Sequence, residues 1–415
     1  MRQLIIRGGQ RLSGALEVEG AKNAALPILC ATILTDAEVI LRNVPHLQDV
    51  VTIVELLKAL GKRVEQPERN VYRITAQGRL RAEVPAELVR RMRASFLVLG
   101  PLLARLGEAR VSLPGGCVLG PRPVDLHLKG LAQIGAEIGL VQGGVEARGR
   151  LHGAEIYLDY PSVGATEQLL LAAAAIPERT VIRNPAFEPE VEDLAHFLEA
   201  MGARITWGRE IEVHGAERLH GADYRIIPDR INAGTYMIGV ALAGGRARIG
   251  CRPAHLEALL RKLRECGARI EEEENAISIE SSGELQPLEL ETGPYPGFPT
   301  DLQPQMTALL SVARGTSIVR ERVFPDRFAY VPQLVRMGAQ IRVSDSTAII
   351  KGVAHLEGAA VQATDIRAGA ALVLAGLAAQ AETVVLDEGH LARGYSDIAR
   401  DLRALGTKIR WEDQD

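Results

Sequence analysis

The chain has 415 residues, with 47% hydrophobic, 24% charged, 4% aromatic, 41 glycines and 21 prolines. These are globular proportions, so a disordered chain is excluded, and roughly 150 residues per domain predicts two or three domains with cores of their own. A formal net charge of −4 excludes a broad basic surface for nucleic acid or anionic lipid, while a local basic pocket stays compatible with it.

The first segment, Met1 to Arg11, holds only a short apolar stretch at Leu4–Ile6, too brief for a signal-peptide core. The most apolar run, Ala368 to Ala379, falls below the roughly 18 residues that span a bilayer. Cys30, Cys117, Cys251 and Cys266 form no CxxC pair and the nine histidines form no HxH or HxxxH pair. Neither a disulfide scaffold nor a metal site is expected. The expectation is a cytoplasmic protein with no membrane segment, no nucleic-acid partner and no obligate protein partner.

The first element with chemical promise is Gly20-Ala21-Lys22-Asn23-Ala24-Ala25-Leu26-Pro27, where Lys22 and Asn23 open an apolar helix. A helix N-terminus carries unpaired N–H groups and partial positive charge, and a lysine there suits a phosphate. The alternative is a solvated lysine, and the GxxxxGK[ST] pattern of a nucleotide P-loop is absent. Next comes an amphipathic helix, Val51 to Leu60, which ends at Gly61 and leads into a β-branched strand start.

That ending recurs. Gly61, Gly135, Gly202, Gly267, Gly338 and Gly406 each follow a helical pattern and precede a small or polar residue and a strand, at intervals of 65 to 74 residues. Glycine closes a helix by taking the left-handed conformation, so the signature reads as a helix C-terminus repeated six times. Helices apolar almost all round recur at Ala165–Ile176, Thr235–Ala243, Gln305–Val312 and Ala368–Ala379, and a helix with no polar face must be buried on all sides. The predicted fold is α/β: two domains, each of three βαβ-rich units around buried helices, with the active site in an interdomain cleft. Domain one covers 20–229, and domain two covers 1–19 plus 230–415, with the N-terminal strands crossing into it.

Between the first and third units lies Leu113-Pro114-Gly115-Gly116-Cys117-Val118-Leu119-Gly120-Pro121-Arg122-Pro123-Val124-Asp125-Leu126-His127. Three glycines and three prolines around one cysteine predict a surface loop. A cysteine between flexible glycines is a candidate reactive thiol, with Arg122 close enough to lower its pKa and bind an anion; the alternative is an inert loop thiol. The other three cysteines lie in apolar patterns and read as core. Further along, Pro294-Tyr295-Pro296-Gly297-Phe298-Pro299-Thr300-Asp301 leads into another apolar helix, and Asp301 is either its cap or a general base held by the prolines around it. Arg93, Arg122, Arg230, Arg327, Arg367 and Arg393 each lie near a loop or helix entrance, and converging guanidiniums would bind a polyanion.

Together GAKNAALPIL at Gly20–Leu29, the PGGC…RPVDLH loop, Ser162 to Thr166, Pro228 to Arg230, Phe298 to Gln303, Arg327, Asp365 to Ala368 and Arg393 to Tyr395 resemble the UDP-N-acetylglucosamine 1-carboxyvinyltransferase family of enolpyruvyl transferases, essentially end to end. The resemblance implies an inside-out α/β barrel in each domain. It also implies transfer of the enolpyruvyl group of phosphoenolpyruvate to the 3′-hydroxyl of UDP-N-acetylglucosamine, through a tetrahedral intermediate and without a cofactor. By similarity, Cys117 is the general acid, Asp301 accepts the hydroxyl proton, and Lys22, Arg122 and Arg393 hold phosphoenolpyruvate. The sugar nucleotide would contact Asn23, Arg93, Pro123, Val124, Asp125, Leu126, Ser162, Val163, Gly164, Asp301 and Val323, with Arg327 and Arg367 in support. Some members carry a lysine where this chain has Tyr160, so no lysine contact is assigned there. The 3-phosphoshikimate transferase and a non-catalytic sugar-nucleotide-binding paralogue are the competing readings.

Overall fold

The computed structural model describes residues 2–114, 124–141 and 143–413. All six signature glycines have positive φ: 104° at Gly61, 100° at Gly135, 111° at Gly202, 103° at Gly267, 88° at Gly338 and 85° at Gly406. A side chain is disfavoured in that region, which is why glycine ends each helix. The helices they close are Gln48–Leu60, Asp125–Gln133, Pro189–Ala200, Glu257–Glu265, Val331–Arg336 and Ile398–Ala404.

Six further helices are apolar: Lys22–Ala31, Leu99–Leu106, Val163–Ala173, Arg230–Ala243, Gln303–Leu310 and Ile366–Ala378. In the last, every residue from Arg367 to Leu377 is buried. Three of them begin earlier than hydrophobicity alone suggested, at Val163, Arg230 and Ile366 instead of Ala165, Thr235 and Ala368. Capping is the reason. Ser162 accepts from the Ala165 N–H, Asp229 from Ile231 and Asn232 at 2.8 and 2.9 Å, and Asp365 from Arg367 and Ala368 at 2.8 and 3.0 Å. The caps carry a polar first turn into the helix ahead of its apolar run. The helix expected at Gln305–Val312 starts at Gln303, directly after a 3₁₀ turn over Thr300–Leu302.

The described residues divide into two compact bodies, one within 20–227 and the other comprising 2–19 and 228–413. Each has its own hydrophobic core. In the first body, Asp223–Arg225 pairs parallel with Val39–Arg42, which is continued antiparallel by Val71–Ala76 and Lys62–Glu68. A second sheet joins Glu108–Ser112, Gly144–Arg148 and Glu137–Val141, and a third runs through Arg204–Trp207, Ile211–His214, Arg179–Arg183 and Glu155–Tyr157.

The second body repeats the plan. Leu12–Glu17 lies parallel to Gly245–Gly250, Glu289–Glu291 to Thr316–Arg320, and Ala360–Gln362 to Glu382–Asp387. Arg2–Arg7 is one of the two inner strands of the last sheet, with Leu4 opposite both Val385 and Trp411. Both N-terminal strands therefore belong to sheets of the second body. Among the described residues the strands form six separate sheets, and no closed barrel of strands is present. In the second body Gln303–Leu310 packs against both Ile366–Ala378 and Arg230–Ala243, so its apolar helices cover one another.

Gly267→Ala tests the left-handed closure. Its φ is 103° and the nearest atom to an added Cβ is 3.6 Å away, so backbone strain is the main penalty. We expect a loss of about 1–2 kcal/mol in denaturant unfolding, against no measurable loss for Gly293→Ala, where φ is ordinary and the space is open.

Candidate active site

Lys22 is the first residue of its helix, and its Nζ lies 3.3 Å from Asp49 Oδ2; both side chains are nearly buried. Asp49 stands in the first turn of Gln48–Leu60. A buried ammonium needs such a partner to offset its lost hydration, and the pair holds the lysine at a helix N-terminus, which carries partial positive charge of its own. Asn23, next in line, is half-buried.

A second cluster forms around His127. Asp125 opens the helix Asp125–Gln133, and His127 is buried within it. Its ring meets Phe96 edge-on at 5.7 Å. It also packs on Gly164, where an added Cβ would come within 3.0 Å of the ring. The structure thus brings Val124–His127 together with the capped helix start Ser162–Gly164. Burial, and secondarily the charge of Arg93, push His127 down to about 4. Arg93 begins the 3₁₀ segment Arg93–Val98. Tyr160 is 43% exposed, and the adjacent Asp159 pairs with Lys129 at 2.5 Å. Cys117, Arg122 and Pro123 lie outside the described residues.

In the second body the centre is Asp301. Its Oδ1 accepts from Arg327 Nη2 at 2.8 Å, and its Oδ2 from Arg367 Nη2 and Nε at 2.9 and 3.2 Å. Both arginine side chains are under 5% exposed, while Asp301 keeps an open edge at 27%. Burial works against the charge of Arg367, but Asp301, Tyr395 and Asp229 outweigh it and hold the guanidinium above its ordinary range. Arg327 Nε and Arg367 Nη1 are buried and donate no hydrogen bond among the described residues. Two buried cations around one carboxylate, with N–H donors to spare, favour an additional anion. Asp301 is not the cap of the following helix, which has no side-chain cap.

Glu321 supports this centre and was not among the sequence candidates. Buried to 1%, it accepts from Thr292 and Thr300 at 2.7 and 2.9 Å, and from the Val323 and Phe324 N–H groups at 2.8 and 3.0 Å. Thr300 in turn accepts from Arg327 Nη1 at 2.9 Å. Strand period could have found it: Glu321 continues the inward phase of Ser317 and Val319, where a carboxylate is out of place. Arg393 ends the 3₁₀ turn Leu391–Arg393 and is half-buried. Arg230 stacks over Tyr295 at 5.7 Å.

The remaining cysteines are buried, and burial pushes Cys251 and Cys266 up to about 12 and Cys30 higher still. Glu167 is also buried and lies well above the usual carboxylate range, through burial and then the charges of Glu190 and Glu188. Among the described residues no group of three His, Cys, Asp or Glu is arranged to hold a metal ion. No helix among them is long and apolar enough to cross a membrane.

A family model described as EPSP synthase (3-phosphoshikimate 1-carboxyvinyltransferase) matches residues 6–402. A UDP-N-acetylglucosamine 1-carboxyvinyltransferase of Granulibacter bethesdensis is 50% identical over 99% of both chains. The chain belongs to the UDP-N-acetylglucosamine 1-carboxyvinyltransferase family. A second member, from Carboxydothermus hydrogenoformans, is also 50% identical over 99% of each chain. The enolpyruvyl transferase NikO from Streptomyces tendae superposes with a TM-score of 0.90 at 29% identity, covering 99% of this chain and 98% of that one. An EPSP synthase from Acinetobacter baumannii shares the fold, with a TM-score of 0.77 at 19% identity over the full length of both. Lys22, Asn23, Cys117, Asp301 and Arg393 stand in the motifs that carried the resemblance.

His127 makes stability depend on pH. In the fold it titrates near 4, against an ordinary value of 6.5. Between those values the unfolded chain binds a proton that the folded chain does not. The contribution is therefore full above pH 6.5 and is lost as the pH falls towards 4. Chemical denaturation from pH 7 to pH 4 should show a steeper loss for the parent than for His127→Asn, and equal slopes would exclude a buried neutral imidazole.

Proposed function

We propose that this chain transfers the enolpyruvyl group of phosphoenolpyruvate to the 3′-hydroxyl of UDP-N-acetylglucosamine and releases phosphate, in the cytoplasm, as the first committed step of peptidoglycan precursor synthesis and so of wall growth, cell shape and division. The observation that carries the reading is the Asp301 group: one carboxylate gripped by two buried arginines with N–H donors unspent. It occurs in a chain 50% identical to a protein named for that activity.

The hydroxyl oxygen attacks C2 of phosphoenolpyruvate while its proton passes to the open edge of Asp301. C3 takes a proton from the Cys117 thiol, giving a tetrahedral phospho-ketal. The Cys117 thiolate then takes a proton back from C3 as phosphate leaves C2 and carries off the proton held by Asp301, which gives the enol ether and restores both groups. Arg327 and Arg367 keep Asp301 oriented, so little reorganisation is needed as charge develops. Lys22, Arg122 and Arg393 hold the phosphate and carboxylate of phosphoenolpyruvate. Asn23, Arg93, the segments 123–126 and 162–164, Asp301 and Val323 take the sugar nucleotide.

Phosphate release should require UDP-N-acetylglucosamine and should not occur with 3-phosphoshikimate. Release with the latter would favour the second reading, which the description of the matching family model supports. Cys117→Ser and Asp301→Asn should each lower turnover by about 10²–10⁴-fold, and a near-normal rate in either variant removes the role given to that residue. The epoxide fosfomycin should inactivate the parent by alkylating Cys117 and leave Cys117→Asp unmodified.

A further inference from the structure

Arg393 sits in a turn closed by its backbone, in which Arg393, Gly394 and Tyr395 donate N–H bonds to the His390 and Leu391 carbonyls at 2.9–3.1 Å, and by Asp387, whose carboxylate accepts from the His390 and Leu391 N–H groups at 2.8 and 3.3 Å. A cavity of about 640 Å³, lined by Leu391, Ala392, Tyr395 and Ser396 together with Arg2 and Trp411, opens on one side of that turn. Packing on that side cannot hold it, because a void offers no contact atoms.

Leu391 packs on Gly369 at the start of the turn, and the residues after Arg393 are restrained by the first turns of the helix Arg230–Ala243. Asn232 Nδ2 donates to the Gly394 carbonyl at 3.1 Å, across 162 residues of sequence. One turn on, Thr235 Oγ1 lies 2.9 Å from the Tyr395 hydroxyl. Thr235 donates its single hydroxyl proton to the Ile231 carbonyl and accepts from Gln305 Nε2, so Tyr395 must be the donor to Thr235. Tyr236 meets the Tyr395 ring edge-on at 6.4 Å. Gly394 itself closes against Ile366, where an added Cβ would lie 2.4 Å from a methyl carbon.

Asn232 does not fit a purely stabilising role. Its Oδ1 is buried and has no hydrogen-bond partner among the described residues, and leaving such an acceptor unsatisfied cancels much of what its N–H contributes. We infer that Asn232 is a positioning residue: its amide tethers the Gly394 carbonyl and so sets where the Arg393 guanidinium meets the anionic groups of phosphoenolpyruvate. The inference rests on the assignment of Arg393 to that substrate made above.

The test uses the full chain and steady-state phosphate release with both substrates varied. Asn232→Ala and the isosteric Asn232→Asp, which replaces the donor by an oxygen facing a carbonyl, should each raise KM for phosphoenolpyruvate about three- to tenfold, as expected for one lost hydrogen bond. KM for the sugar nucleotide and the melting temperature should stay close to the parent values. In a double-mutant cycle, Asn232→Ala should add nothing to Arg393→Lys, because both act through one group. An unchanged KM for phosphoenolpyruvate in both Asn232 variants beside a raised one in Arg393→Lys overturns the inference alone. So do multiplying effects in the cycle, or equal rises in both KM values. An unchanged KM in Arg393→Lys overturns the assignment of Arg393 and the inference with it.

Discussion

A helix with no polar face must be covered on every side, and six such helices organise this chain. Covering them uses the six sheets and the six glycine-closed amphipathic helices, three units to a body. A helix buried along its length can present polar chemistry only at its ends. The site residues sit accordingly: Lys22 is the first residue of one apolar helix, Ser162 caps another, Arg230 opens a third, Asp301 precedes a fourth by two positions and Arg367 is the second residue of a fifth. N-termini also carry the unpaired N–H groups and positive potential that suit the anions proposed as substrates.

The charges at these ends differ in kind from those on the surface. Exposed pairs such as Arg42 with Asp223, about half exposed, contribute little beyond solubility. Lys22 with Asp49, and Arg327 and Arg367 around the partly open Asp301, are buried at the cost of hydration. Apolar residues of the same volume would often serve stability as well or better. Their presence is explained by the fixed charges that the proposed site requires more readily than by the strength of the fold. Glu321 belongs to the same arrangement, since through Thr300 and the Val323 N–H it aligns the walls of the Asp301 centre.

Much of this was legible in the sequence because it is local. The glycine signature marks six helix ends by backbone conformation alone, and the apolar runs mark the helices that must be covered. The starts of those helices were misjudged where a cap carried polar residues into the first turn, as at Asp229 and Asp365. The motifs that carried the resemblance supplied the candidate site residues. Glu321 was missed although strand period puts it on the inward face, and Glu167 was missed although it interrupts an apolar helix.

The sequence by itself determined the repeat, the apolar helices, the left-handed turns and the residue types at the site, because each depends on neighbours a few positions away. Only the tertiary structure decided which charges meet. That Asp301 is shared by Arg327 and Arg367, that His127 lies against Gly164, and that Asn232 reaches Gly394 are contacts across 26 to 162 residues. They arise from how the helices cover one another, and no local periodicity encodes them.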